Sequence, residues 1–163
     1  RRLLERHRDA VFRLVRSLVG DSDAALDITQ EAFVSGFAAL KRYDPERPFR
    51  AWMSRIAVNK ARDWARRRKV RSFFSGAVDI DEAITVADDA PISDTIIYHR
   101  AELARAMRAI ATLPHNLREV LVLRTIEDLP EADTATILGI SGKAVETRLY
   151  RARKQLNEIL GAS

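Results

Sequence analysis

The chain has 163 residues, 47% hydrophobic and 31% charged, with a formal charge of +5 and no cysteine. Its length suits one ordinary domain or two small ones, and the lack of cysteine excludes disulfide frameworks and thiolate metal sites. The 28 Lys and Arg point to a polyanionic partner. No apolar run is long enough to span a bilayer, and the charged opening RRLLERHRDAVFRL lacks a signal peptide's apolar core, so a soluble, intracellular protein is expected. With only 6 Gly and 5 Pro among many Ala, Leu, Arg and Glu, helices are favoured over sheet.

In chain order, Leu3 to Val19 carries apolar residues at helical spacing and stops at Gly20, where Asp21 or Ser22 can cap a second helix. The chain opens inside what reads as that first helix, which leaves open whether residues precede Arg1. The second helix, Asp23 to about Leu40, has Leu26, Phe33, Phe37 and Leu40 on one side, with Asp27, Gln30 and Glu31 on a polar side. The prolines of YDPERP then force a loop. A third helix begins near Phe49 or Arg50. Between Lys41 and Arg71 there are twelve Lys or Arg against three Asp or Glu, a local excess of nine positive charges.

Met53, Ile56, Ala57 and Trp64 can pack inward from this helix, while Arg55, Asn59, Arg62 and Arg66 form a narrow stripe at steps of four, three and four. Cations with an amide among them suit a nucleic-acid strand, and Tyr43, Phe49, Trp52 and Trp64 offer stacking faces for bases outside a duplex. Tryptophans at helical positions are more often core than base platforms, a reading that weighs most on Trp64.

From Ser72 to Asp94 six acids, Asp79, Asp81, Glu82, Asp88, Asp89 and Asp94, occur with no base between them. Poor periodicity predicts an acidic linker over 72–94, with a short helical turn near 81–86. The linker divides the chain into helical domains at 1–71 and 95–163. The second opens with a helix near Thr95 to Ala111. A break at Leu113-Pro114 follows, with proline suited to the first helical position, and then a buried helix carrying Leu117, Val120, Leu121 and Leu123.

Pro130 to Leu156 reads as a helix-turn-helix: a short helix ending at Gly139, a corner plugged by Ile140, and a basic helix capped by Ser141. Val145, Leu149, Ala152 and Leu156 make the inner face of that last helix. Lys143, Glu146, Thr147, Arg148, Tyr150, Arg151, Arg153 and Lys154 are left outside. A helix of this width fits the major groove. His7, His99 and His115 are dispersed without metal-ligand spacing, so no metal and no cofactor are expected.

Taken together, DAALDITQEAF, YDPERPFRAWMSRIAVNKARDWARRR and LPHNLREVLVLRTIEDLPEADTATILGISGKAVETRLYRARKQL, in this order and spacing, resemble bacterial RNA polymerase sigma factors of the extracytoplasmic-function group. The resemblance implies an all-α protein of two small helical domains, sigma region 2 and sigma region 4 with its helix-turn-helix, joined by the acidic linker. It assigns Asp27, Gln30 and Glu31 to core RNA polymerase, with Leu26 and Phe33 holding their helix in place. It assigns Tyr43, Trp52, Arg55, Asn59, Arg62 and Arg66 to the minus-ten strand, and Lys143, Glu146, Thr147, Arg148 and Arg151 to the minus-thirty-five element.

The family departures are Glu146, where many members carry Lys or Arg, Pro130 in place of a capping serine, and Thr134 in place of a larger aliphatic. Glu146 can accept from a cytosine amine or pair with Lys143. The resemblance further implies that linker acids stand in for RNA phosphates in polymerase channels. It also implies control by an anti-sigma protein, often membrane-bound, and a cytoplasmic, nucleoid-associated site of action with no membrane insertion.

Three other readings compete with a non-enzymatic sigma factor. A helix-turn-helix regulator leaves the cationic helix at Arg50 to Arg68 without a role. A mimic that titrates an anti-sigma protein has no need of Arg55, Arg62, Arg66 and Arg151. A nuclease would need an acidic metal-ligand cluster that the sequence lacks.

Overall fold

The computed structural model describes residues 2–75 and 94–161. Among the described residues there are α-helices and no strand: α1 Arg2–Val19, α2 Ser22–Ala38, α3 Phe49–Ser75, α4 Asp94–Thr112, α5 His115–Leu121, α6 Glu131–Leu138 and α7 Gly142–Gly161. A 3-10 turn at Leu40–Arg42 follows α2, and a π-helical turn at Val122–Ile126 extends α5.

Helix α1 buries Val11, Leu14, Val15 and Leu18, one stripe at helical spacing. It closes at Gly20, whose φ of 75° is open to glycine and costly for residues with a Cβ. Asp21 Oδ1 then accepts from Ala24 N at 2.9 Å and caps α2.

Helix α2 is held through Ala25, Ile28, Ala32, Phe33 and Gly36. Of the apolar side expected from sequence, Phe33 is buried, whereas Leu26, Phe37 and Leu40 are each 40% exposed, so Leu26 does not hold the helix in place as expected. Small residues bring α2 so near α3 that a Cβ on Gly36 would lie 2.7 Å from Met53 Sδ, and the larger side chains are turned outward. Helix α3 buries Met53, Ala57, Val58 and Ala61, with Ile56 and Trp64 half-buried against the same core.

Both ends of the expected linker are helical. Helix α3 continues past Arg71 to Ser75, and α4 starts at Asp94. Asp79, Asp81, Glu82, Asp88 and Asp89, with the turn expected at 81–86, lie outside the described residues.

In the C-terminal half, Pro114 sits one residue before α5 as its N-cap rather than at its first position. Leu113, Leu117, Val120, Leu121 and Leu123 are buried as expected. Gly139 ends α6 with φ 68°, and Ser141 Oγ accepts from Ala144 N at 3.1 Å to cap α7. Helix α1 packs on α4, α5 and the π-helical turn, and α3 packs on α6. The two halves thus share one core, in which Leu14 and Leu18 belong with Leu113, Val120 and Val122.

Candidate polymerase and promoter interfaces

The outward face of α2 carries Leu26, Val34 and Phe37 beside Asp27, Gln30 and Glu31, all exposed. About 100° of rotation per residue puts these six on one continuous arc. Exposed apolar groups interleaved with carboxylates make a surface suited to an apolar, basic partner. Glu31 also reaches Lys60 Nζ on α3 at 3.5 Å, a solvent-facing pair of small energetic weight.

The loop before α3 is tied by Tyr43, whose hydroxyl donates to Arg47 O at 2.6 Å. Tyr43, Phe49 and Trp52 form a cluster with ring centroids 5.1 to 5.5 Å apart, and His7 joins it 5.0 Å from Phe49. Burial first, then the charges of Arg6 and Arg50, push the His7 imidazole below its ordinary pKa, so it enters the cluster as a neutral ring. The rings are half-buried. Trp64 packs on the core with the Arg68 guanidinium 5.3 Å from its ring, so it belongs with the core tryptophans.

Along α3, Arg55, Asn59 and Arg66 are exposed, and Arg66 also pairs with Asp63 one turn earlier. Arg62, at the edge of the same stripe, is turned toward α5. Its Nε and Nη2 donate to the two carboxylate oxygens of Glu119 at 2.6 and 2.7 Å, and His115 Nε2 lies 3.1 Å from Glu119 Oε1. Burial pushes the Glu119 carboxyl upward, but the two hydrogen bonds from Arg62, with the His115 ring close by, outweigh it and hold the group below its ordinary range. The same hydrogen bond holds Arg62 more firmly charged.

At the start of α3, Arg50 Nη2 donates to both Glu127 O and Glu127 Oε2, at 2.7 and 2.8 Å. Arg118 donates from α5 to Leu18 O at 2.8 Å. Arg62, Arg50 and Arg118 therefore tie the halves together. The partners Glu119 and Glu127 escaped the sequence reading, although a carboxylate between Leu117 and Val120 in an apolar run is a signal of a buried pair.

In the helix-turn-helix, Lys143, Glu146, Thr147 and Arg151 are exposed and Arg148 is half-buried. Thr147 Oγ1 donates back to Lys143 O at 2.9 Å. Among the described residues Glu146 has no ion pair with Lys143, so its carboxylate is open to solvent. An added Cβ on Gly142 would clash with Glu131 Oε1; glycine lets that carboxylate lie against the first turn of α7. Thr134 is completely buried, with no hydrogen-bond partner for its hydroxyl. Pro130 caps α6 without a side-chain hydrogen bond.

Residues 3–71 match the Sigma-70 region 2 family and residues 103–156 the Sigma-70, region 4 family. The chain is 40% identical over 163 residues to RNA polymerase sigma factor CnrH of Cupriavidus metallidurans, covering 98% of this chain and 85% of that protein. It is 30% identical to ECF RNA polymerase sigma factor SigW of Bacillus subtilis, covering 97% and 87%. Among solved structures, CnrH in complex with the cytosolic domain of CnrY is similar at 33% identity and TM-score 0.73, covering 99% of this chain and 87% of that one. RpoE in complex with the anti-sigma factor NepR, from Bartonella quintana, shares the fold at TM-score 0.83 and 22% identity, covering 98% and 95%.

The chain belongs to the extracytoplasmic-function group of RNA polymerase sigma factors. It is a transcription initiation factor of two helical regions. No helix among the described residues is long and apolar enough to cross a membrane.

Proposed function

We propose the following division of labour within this sigma factor. Residues 1–71 form the region that docks on core polymerase and opens the minus-ten element, and residues 95–163 form the region that binds the minus-thirty-five element. Asp27, Gln30 and Glu31, with the exposed Leu26, Val34 and Phe37, meet the polymerase. Tyr43, Trp52, Arg55, Asn59, Arg62 and Arg66 take the opened strand, where stacking and phosphate contacts offset the cost of unstacking. Lys143, Glu146, Thr147, Arg148 and Arg151 face the major groove, Glu146 as an acceptor for a cytosine amine.

The observation that carries this reading is the α2–α3 hairpin, which exposes an acid-and-apolar face on one helix and a cation-and-amide stripe on the other. The work is binding, and RNA synthesis itself belongs to the polymerase; the protein is an initiation factor and not an enzyme. It acts in the cytoplasm, on the nucleoid when engaged. The solved relatives in complex with NepR and with the cytosolic domain of CnrY support control of this chain by an anti-sigma protein.

The test is in vitro transcription with core polymerase, this protein and a promoter library, with Asn59→Ala and Arg151→Ala beside the parent. Specific start sites that weaken in both variants are expected. Tight binding to core with no transcript on any template would favour a mimic instead.

A further inference from the structure

The arginines by which α3 would hold DNA are not all free in this conformation. Glu119 is 2% exposed and Glu127 3%, yet each carries a carboxylate aimed at an arginine of the other half. The geometry is built rather than incidental. Arg62 takes Glu119 in a two-bond fork, the arrangement guanidinium groups also use for phosphate. The π-helical turn at Val122–Ile126, followed by Asp128 at φ 49°, turns the chain so that both the carbonyl and the carboxylate of Glu127 meet Arg50. Glu127 Oε1 is left buried without a hydrogen-bond partner, so the pair with Arg50 is not fully satisfied within the fold.

We propose that Glu119 and Glu127 are internal competitors for the minus-ten strand, phosphate stand-ins that hold Arg62 and Arg50 and keep the packed conformation from taking promoter DNA until the halves separate. This rests on the reading of α3 as the minus-ten helix. The α2 face with Asp27, Gln30 and Glu31 is exposed while the latch is closed, so the latch does not cover that face. Arg55, Asn59 and Arg66 remain outside the latch, which leaves part of the stripe to make first contact with a strand. Because binding and opening are linked, DNA must favour separation by as much as separation favours DNA.

The chain has no cysteine, so Ser22→Cys and Asn157→Cys, both at exposed positions, can carry a dye pair across the two halves. The probe is a fluorescent random-sequence single-stranded 30-mer at low salt. In the parent, adding the oligonucleotide is expected to shift the interdomain distance to longer values. The double variant Glu119→Gln, Glu127→Gln is expected to populate the longer distance more than the parent does without DNA and to bind the oligonucleotide about tenfold more tightly. Adding Arg62→Ala to that variant should remove the gain.

Binding by the parent with its short-distance population unchanged would overturn the latch, and this arm needs no substitution at the interface. So would a separated variant with parental affinity, or no binding by parent and variant alike. A parent that starts transcripts with core polymerase while failing these tests retains its sigma role without the latch. A parent that passes them and starts no transcript has the latch without that role.

Discussion

Arg62 on α3 and Glu119 on α5 are 57 positions apart in sequence and joined by two hydrogen bonds, with the carboxylate buried and the guanidinium at its edge. The pair therefore serves the packing of one half on the other as well as the chemistry of the stripe. Removing the arginine leaves a buried carboxylate with His115 alone, so Arg62→Ala should lower unfolding free energy by about 2 kcal/mol. That is below the roughly 3–5 kcal/mol typical of a fully buried pair, because Arg62 is partly hydrated. Urea denaturation of parent and variant measures it, and an unchanged midpoint would contradict the coupling.

The pH dependence follows from the same carboxylate, which faces Arg62 and His115. Its folded pKa is lowered relative to an ordinary glutamate near 4.3. Its contribution to stability is therefore present in full above the unfolded value and is lost as pH falls through the lower, folded one. Between about pH 5 and 8 Glu119 should stay ionised and paired. A carboxyl-carbon NMR titration should place its midpoint below about 4.3, and a midpoint above that would contradict the pairing.

Much of the fold was legible because its signals are local. Gly20 and Gly139 stop helices with positive φ, and Asp21 and Ser141 cap the helices that follow, all from features read within a few residues. Apolar size is a poor guide to the buried face of α2. At a close crossing Ala25, Ala32 and Gly36 go inward, and Leu26 and Phe37 are displaced outward. The Arg50–Glu127 and Arg62–Glu119 pairs were invisible for another reason. They join distant segments, and the π-helical turn that aims Glu127 has no periodic signature. The candidate DNA stripe was legible as a spacing, but not the turning of Arg62 away from it.

Thr134 offers a test of packing in the helix-turn-helix. Its buried hydroxyl has no hydrogen-bond partner, and valine has nearly the same shape without the polar atom. Thr134→Val should stabilise the protein by about 1 kcal/mol. For a chain of this size that raises the thermal midpoint by roughly 2–4 °C. A lowered midpoint would mean that the hydroxyl has a partner in solution.

The α2 face should separate binding from stability. Asp27 and Glu31 are exposed, and the Lys60–Glu31 pair is solvent-facing. Asp27→Arg with Glu31→Arg should weaken core polymerase binding by about tenfold. The thermal midpoint should move by no more than about 2 °C, as is usual for surface substitutions. Fluorescence anisotropy with labelled protein and calorimetry measure the two. Unchanged affinity for core would place the docking face elsewhere.

Promoter opening tests the central claim most directly. A promoter selected by transcription with core polymerase is prepared with a fluorescent base analogue in the minus-ten element, whose emission rises when the base leaves the stack. Polymerase carrying this protein should raise the signal, core polymerase alone should not, and Asn59→Ala should slow or abolish the rise while leaving core binding intact. A signal no greater than that of core alone, from a complex shown to contain both proteins, would contradict promoter opening by this chain.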